Sequence, residues 1–155
     1  MHVITGQDLR SAHTHIKSNS LLATTLMRLE AQAKGADEVI VVHDGFAIEG
    51  ISSNLFMVKN GVVLTPPVTP RLVGGVTRET ILQLCAEHQI KTIEQPCALS
   101  DLLSADEVWL TGSTKEIVPV VSIDTHPIAH GQAGPLWYRM IEWYKAHQAH
   151  QIQAS

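Results

Sequence analysis

The chain has 155 residues, 45% hydrophobic and 17% charged, with a formal net charge of -4. That length supports one domain with a sizeable core, and the acidic balance removes the electrostatic case for nucleic acid or an anionic membrane as a partner. Apolar runs such as residues 39–42 and 118–121 are far too short to span a bilayer, and the N-terminus lacks the basic flank and apolar run of a signal peptide.

In chain order, a strand over residues 1–5 leads through a polar segment, residues 8–15, to Ile16 and Lys17. Ser18 or Asn19 can cap a helix with Leu22, Leu26, Leu29 and Ala33 on its apolar face, and Gly35 stops it. Residues 38–43 are a β-branched run, Asp44-Gly45 is a two-residue hairpin signal, and residues 46–49 return antiparallel. Residues 55–59 and 62–65 form a second hairpin around Asn60-Gly61. Pro66, Pro67 and Pro70 mark a loop without ladder donors. A helix from near Thr77 to about His88 carries Ile81, Leu82, Leu84 and Cys85. Residues 91–94 are a short strand, Ser100 caps a single helical turn, and residues 107–111 are another strand. Gly112-Ser113-Thr114 breaks the pattern before residues 117–123 resume extended structure. Residues 134–150 close the chain as an amphipathic helix burying Leu136, Met140, Ile141 and Tyr144, with residues 148–155 expected to fray. Hairpins interleaved with helices predict one domain, residues 1–155, of mixed α/β class and not a doubly wound parallel sheet.

Four places can carry chemistry. Lys17 stands before a helix, beside Ile16 and a small uncharged stretch, where desolvation favours the neutral amine that Schiff-base chemistry needs; the plainer alternative is an exposed lysine at a helix entrance. Glu49 ends a hairpin strand just before Gly50 and is placed to point into a bend, although a lone glutamate there is usually solvated. Gly74-Gly75-Val76-Thr77 enters a helix and offers free N–H groups and a hydroxyl to a phosphate, or is simply a glycine turn with a threonine cap. Gly112-Ser113-Thr114 is a second nest of amides and hydroxyls, or a polar loop. Short glycine motifs are common enough that neither stands alone. His13 and His15 lack a third ligand, so no metal is expected. Cys85 and Cys97 read as reduced core thiols, Trp109 as core, and a cytoplasmic location is the default.

Taken together, Glu49, Ser52, Ser53, Asn54, Leu55, Phe56, Thr65, Gly75, Val76, Thr77 and Arg78 form an ordered pattern. It resembles the class IV, or fold-type IV, aminotransferases, pyridoxal-phosphate enzymes that include D-amino acid aminotransferase, branched-chain aminotransferase and aminodeoxychorismate lyase. Ile16-Lys17-Ser18 is similar to the family's lysine segment, and residues 105–119 to its later active-site loop. The resemblance implies the large domain of that fold, a mixed, partly barrel-like sheet with flanking helices. It implies pyridoxal 5′-phosphate as cofactor, with Lys17 forming the Schiff base and shuttling the α-proton and Glu49 binding the pyridinium nitrogen. Val76, Thr77 and Ser113 would hold the phosphate, with Thr114 facing phosphate or substrate carboxylate. Val73 would support the ring, and Ser52 would lie near the imine. Amino acid and 2-oxo acid substrates and a homodimer are implied too. Ile16-Lys17-Ser18 and Ile51-Ser52-Ser53 look closer to the D-amino acid branch, so a D-alanine-like substrate is expected, with the branched-chain and lyase branches as alternatives.

Members of this family carry a smaller domain ahead of the lysine segment, whereas sixteen residues precede Lys17 here. The small domain, expected to be absent, normally supplies a phosphate arginine, a tyrosine near the cofactor oxygen and part of the substrate pocket. A second reading therefore stands beside the enzyme: a non-catalytic module for binding or assembly. Either way, the face where the small domain would pack is expected to be apolar and exposed.

Overall fold

The structure is a computed structural model that describes residues 1–10, 14 and 21–153. In chain order the elements are β1 (His2–Gln7), α1 (Leu22–Ala33), β2 (Glu38–His43), β3 (Phe46–Gly50), β4 (Asn54–Lys59), β5 (Val62–Thr65), α2 (Val76–Glu87), β6 (Thr92–Glu94), β7 (Cys97–Ala98), α3 (Leu99–Leu103), β8 (Glu107–Gly112), β9 (Glu116–Val120), β10 (Ser122–Ile123), β11 (His126–Pro127) and α4 (Pro135–Gln153). The strands form two sheets, ordered β11-β10-β1-β2-β3-β7 and β6-β5-β4-β8-β9. β1 runs parallel to both β2 and β10, and β5 parallel to β6, while the remaining pairs are antiparallel. The sheet system is therefore mixed, and it curls into a half-barrel.

The chain passes between the sheets at two corners. Residues 50–54 turn from β3 into β4 across an isolated bridge between Gly50 and Ser53. The stretch expected as one extended segment, residues 117–123, divides at Val121, with β9 in one sheet and β10 in the other. Ser100 lies inside α3 and not at its cap, which is Ala98.

Three apolar clusters follow from strand alternation. Along β2, Ile40 joins the largest cluster with Leu55, Leu110 and Ile123, whereas Val39 and Val41 face the opposite way beneath α1. A third cluster packs α2 and α4 on the second sheet through Phe56, Trp109, Ile81, Leu84 and Met140. Thr65 solves a local problem there. The register that pairs Met57 with Leu64 puts Leu55 opposite Pro66, which has no N–H. The buried Thr65 hydroxyl donates to the Leu55 carbonyl instead, at 2.7 Å.

The reading of α1 needs correction. Met27 and Ala31 are its buried residues, while Leu22, Leu26 and Leu29 are 74%, 53% and 55% exposed and Ala33 is exposed too. The small face of Ala31 with Met27 fits against Ile4, Val39 and Val41, and the leucine stripe turns outward. Periodicity reveals a stripe, but it cannot say whether its partner lies within the same chain. Ser18 and Asn19, the expected caps, lie outside the described residues; Leu21 precedes the helix without a side-chain cap.

Candidate active site

Glu49 owes its position to a β-bulge. β2 and β3 pair Val42 with Ala47, but then Val41 with Glu49 and Ile40 with Gly50, so Ile48 is the extra residue. Without it Glu49 would oppose Ile40, on the other face of the sheet. The bulge turns the carboxylate into a cavity of about 980 Å³, where the residue is only 4% exposed.

The opposite wall of the cavity is a helix start. α2 begins at Val76 after Gly75, which offers no side-chain cap, so the first amides of the helix have no intrahelical acceptor. Asn54 ties this end to Glu49. Its Nδ2 donates to the Val73 carbonyl at 2.7 Å and, more weakly, to Glu49 Oε2 at 3.4 Å, and its Oδ1 accepts the Gly75 N–H at 3.1 Å. Arg78 braces the loop below. Fully buried, it donates to the Pro66 carbonyl and pairs with Glu79 and Glu94.

Glu49, Ser52, Val73, Val76, Thr77 and Ser113 all line this one cavity. Val76 is 78% exposed and Thr77 buried, so the first turn of α2 presents one open and one enclosed residue. Thr114 is exposed and does not line the cavity. Lys17, the expected amine, lies outside the described residues, as do His13 and His15.

Two charged residues at the site escaped the sequence reading. Arg10 Nη1 donates to Glu49 Oε1 at 2.6 Å, and the Arg10 side chain is 8% exposed. Its sequence signal is the polar Asp8-Leu9-Arg10 segment; only the parallel pairing of β1 with β2 carries it to a glutamate 39 residues away. Glu38, 2% exposed at the start of β2, accepts from the Ser53 hydroxyl at 2.6 Å and the Ser52 amide at 3.3 Å. It fixes the bend that holds Ser52 at the cavity. Nothing in a β-branched run signals this.

Burial pushes the Glu49 carboxyl up to about 7, against the pull of Arg10 and of the Val73 amide. For Arg10, burial works downward, but Asp8 and Glu49 outweigh it and raise the guanidinium. The buried Cys85 and Cys97 thiols are pushed up to about 11 by desolvation, which removes them as nucleophiles. Among the described residues no group of three His, Cys, Asp or Glu could hold a metal, and no helix is long and apolar enough to cross a membrane. The cavity thus offers a buried acid for a ring N–H and an open helix start for an anion.

The amino-transferase class IV family matches residues 5–123. A D-alanine aminotransferase of Bacillus licheniformis is 41% identical over 133 residues, covering 86% of this chain and 47% of the relative. A branched-chain-amino-acid aminotransferase of Pseudomonas aeruginosa is 37% identical over 133 residues, covering 84% and 43%. The branched-chain amino acid aminotransferase structure from Escherichia coli superposes with a TM-score of 0.84 at 33% identity, covering 91% of this chain and 50% of that one. An aminotransferase from Brucella abortus, bound to the cofactor PLP, gives 0.82 at 26% identity, covering 93% and 53%. The chain spans about half the length of the curated relatives it matches.

Proposed function

This chain belongs to the class IV aminotransferase family, and from that premise we propose that it is the cofactor-holding part of an enzyme moving an amino group between an amino acid and a 2-oxo acid. Class IV aminotransferases use pyridoxal phosphate. The observation that carries the reading is the Asn54 link, which joins the buried Glu49 carboxylate to the uncapped start of α2 inside one cavity. A pyridine ring bearing a phosphate needs those two partners, and the residues present fit it.

When bound, the cofactor supplies a protonated ring that accepts the electron pair left when the substrate's α-proton departs. Glu49 accepts the ring N–H and keeps that proton in place. The amides of Val76 and Thr77 at the helix start, with the Thr77 hydroxyl, hold the phosphate; Ser113 adds a donor from the loop after β8. Val73 supports the ring, and Ser52, held by Glu38, lies at the cavity edge. The Lys17 amine is the covalent anchor and the carrier of the α-proton.

A D-alanine-like substrate is the proposed donor, and branched-chain amino acids are the second reading, since relatives of both names match with similar identity. A homodimer in a cytoplasmic setting completes the proposal, supported by the outward leucines of α1 and the buried, free thiols. Borohydride reduction of the chain loaded with pyridoxal phosphate, followed by peptide mapping, should place the adduct on Lys17. No adduct, or one spread evenly over surface lysines, overturns the reading. Turnover of D-alanine against L-leucine, with 2-oxoglutarate as acceptor, separates the two substrate classes. A chain that traps cofactor yet transfers no amine is the non-catalytic module.

A further inference from the structure

Around Glu49 lies a second layer of charge. Asp8 follows β1 directly, and its amide donates to the Val42 carbonyl at 2.9 Å, extending the β1–β2 ladder by one bond. Its side chain is 0% exposed and grips Arg10: Oδ1 accepts from Arg10 Nε at 2.9 Å and from the Arg10 amide at 3.0 Å, and Oδ2 accepts from Nη2 at 3.4 Å. Arg10 Nη2 also donates to the Arg71 carbonyl at 3.3 Å, and the Arg71 guanidinium lies 3.9 Å from Asp8. The guanidinium is therefore clamped on its Nε edge and at one terminal nitrogen, which leaves Nη1 aimed at Glu49 Oε1.

We propose that Arg10 is a positioning residue for Glu49: braced by Asp8, it occupies one carboxylate oxygen, favours the anionic form of the group, and leaves the other oxygen for the ring N–H of the cofactor. The inference rests on Glu49 being the partner of the ring nitrogen. Arg10 holds Glu49 Oε1 at 2.6 Å, whereas the Asn54 contact to Oε2 is long at 3.4 Å, and the Val73 amide adds a backbone donor to the carboxylate. Among the described residues, the charged groups arranged around Glu49 are Arg10 and Asp8 from the segment after β1, Arg71 from the loop before α2, and Arg28 of α1 on the cavity wall. β4 contributes only the neutral Asn54. Among the described residues, Arg10 is the cation ion-paired with Glu49, so it carries the charge balance. A carboxylate this deeply buried and stripped of its guanidinium would take up a proton. A neutral acid at that position can still receive a hydrogen bond, but it gives the ring proton no counter-charge.

The test uses the cofactor-free chain labelled with 13C at the glutamate carboxyls, with the Glu49 signal assigned by its loss in Glu49→Gln. In Arg10→Gln the Glu49 midpoint should rise by at least about one pH unit, the size that loss of an adjacent opposite charge produces. In Arg10→Lys it should rise by less, because an ammonium keeps the charge but cannot fork between Asp8 and Glu49. A midpoint that stays where it was in both variants, with only the melting temperature lowered, overturns the proposal. Should Arg10→Gln fail to fold, Arg10→Lys decides: an unmoved midpoint sinks the idea and a raised one supports it. Cofactor loading is scored separately. A chain that takes up no pyridoxal phosphate defeats the functional reading, while the cofactor-free titration still decides the Arg10–Glu49 coupling.

Discussion

Asn54 and Gly75 approach so closely that any side chain at position 75 would have to displace Asn54. Asn54 Oδ1 accepts the Gly75 amide at 3.1 Å, and a Cβ on Gly75 would stand 2.4 Å from that oxygen. The backbone of Gly75 is ordinary, with φ -83°, so glycine is needed for space and not for conformation.

Gly75→Ala should therefore push Asn54 off the helix start and loosen Glu49 and the phosphate cradle together. The expected outcome is about 1–3 kcal/mol of lost stability and about a tenfold or greater loss of pyridoxal phosphate affinity, read by absorbance titration. Gly74→Ala is the control. Its Cβ would meet only the Val68 side chain, Cγ2 at 3.4 Å and Cγ1 at 3.9 Å, ordinary contacts, so both quantities should stay near wild type. Equal effects from the two substitutions would refute the role given to Asn54.

What the sequence disclosed and what it hid divide along physical lines. Asp44-Gly45 and Asn60-Gly61 announced both hairpins because all four residues adopt positive φ, which few residue types accept. The uncapped glycine entry to α2 was legible for a similar reason: a missing side chain is visible in a sequence. The bulge at Ile48 was not, since alternation continues past it and only the partner strand reveals the extra residue. Arg10 and Glu38 act on residues far away in the chain, through pairings that no local pattern encodes. The outward turn of Leu22, Leu26 and Leu29 was hidden because an apolar stripe looks the same whether it packs inside or out.

Glu49 also predicts a pH dependence of stability. Its folded-state pKa is raised to about 7, so between about 4.5 and 7 the folded chain holds this proton more tightly than the unfolded one. Stability from this group is then full below about 4.5, falls as pH rises toward 7, and levels off above it. Glu49→Gln, which cannot ionise, should gain on wild type across that window by an amount on the order of 3 kcal/mol, at 1.36 kcal/mol per unit. Denaturant titrations of both chains at matched pH read the difference. A gap that stays constant from pH 4 to about 8 would show that folding does not raise the Glu49 pKa. Loading with pyridoxal phosphate should flatten the wild-type curve, because a ring N–H favours the anion.

Glu107 supplies a prediction about the fold alone. Buried in β8, it accepts three N–H groups: Leu136 on Oε1 at 2.8 Å, and Trp137 and Trp109 Nε1 on Oε2 at 2.9 and 3.0 Å. Two of these are first-turn amides of α4, so one carboxylate caps the helix and fastens it to the second sheet. Glu107→Gln turns one oxygen into an NH2 that faces N–H donors, leaving at least one of them buried without an acceptor. The cost should be about 2–3 kcal/mol, seen as an earlier denaturant midpoint. Gly134 gives an independent route to the same state, because a Cβ there would come within 2.1 Å of Glu107 Cδ and displace the carboxylate. Gly134→Ala should therefore reproduce the loss seen in Glu107→Gln, and the double substitution should cost clearly less than the two added together. Neither should change pyridoxal phosphate affinity in the folded chain, since Glu107 and Gly134 do not line the cavity that holds Glu49. Full additivity would mean that the carboxylate and the glycine act on different parts of the helix start.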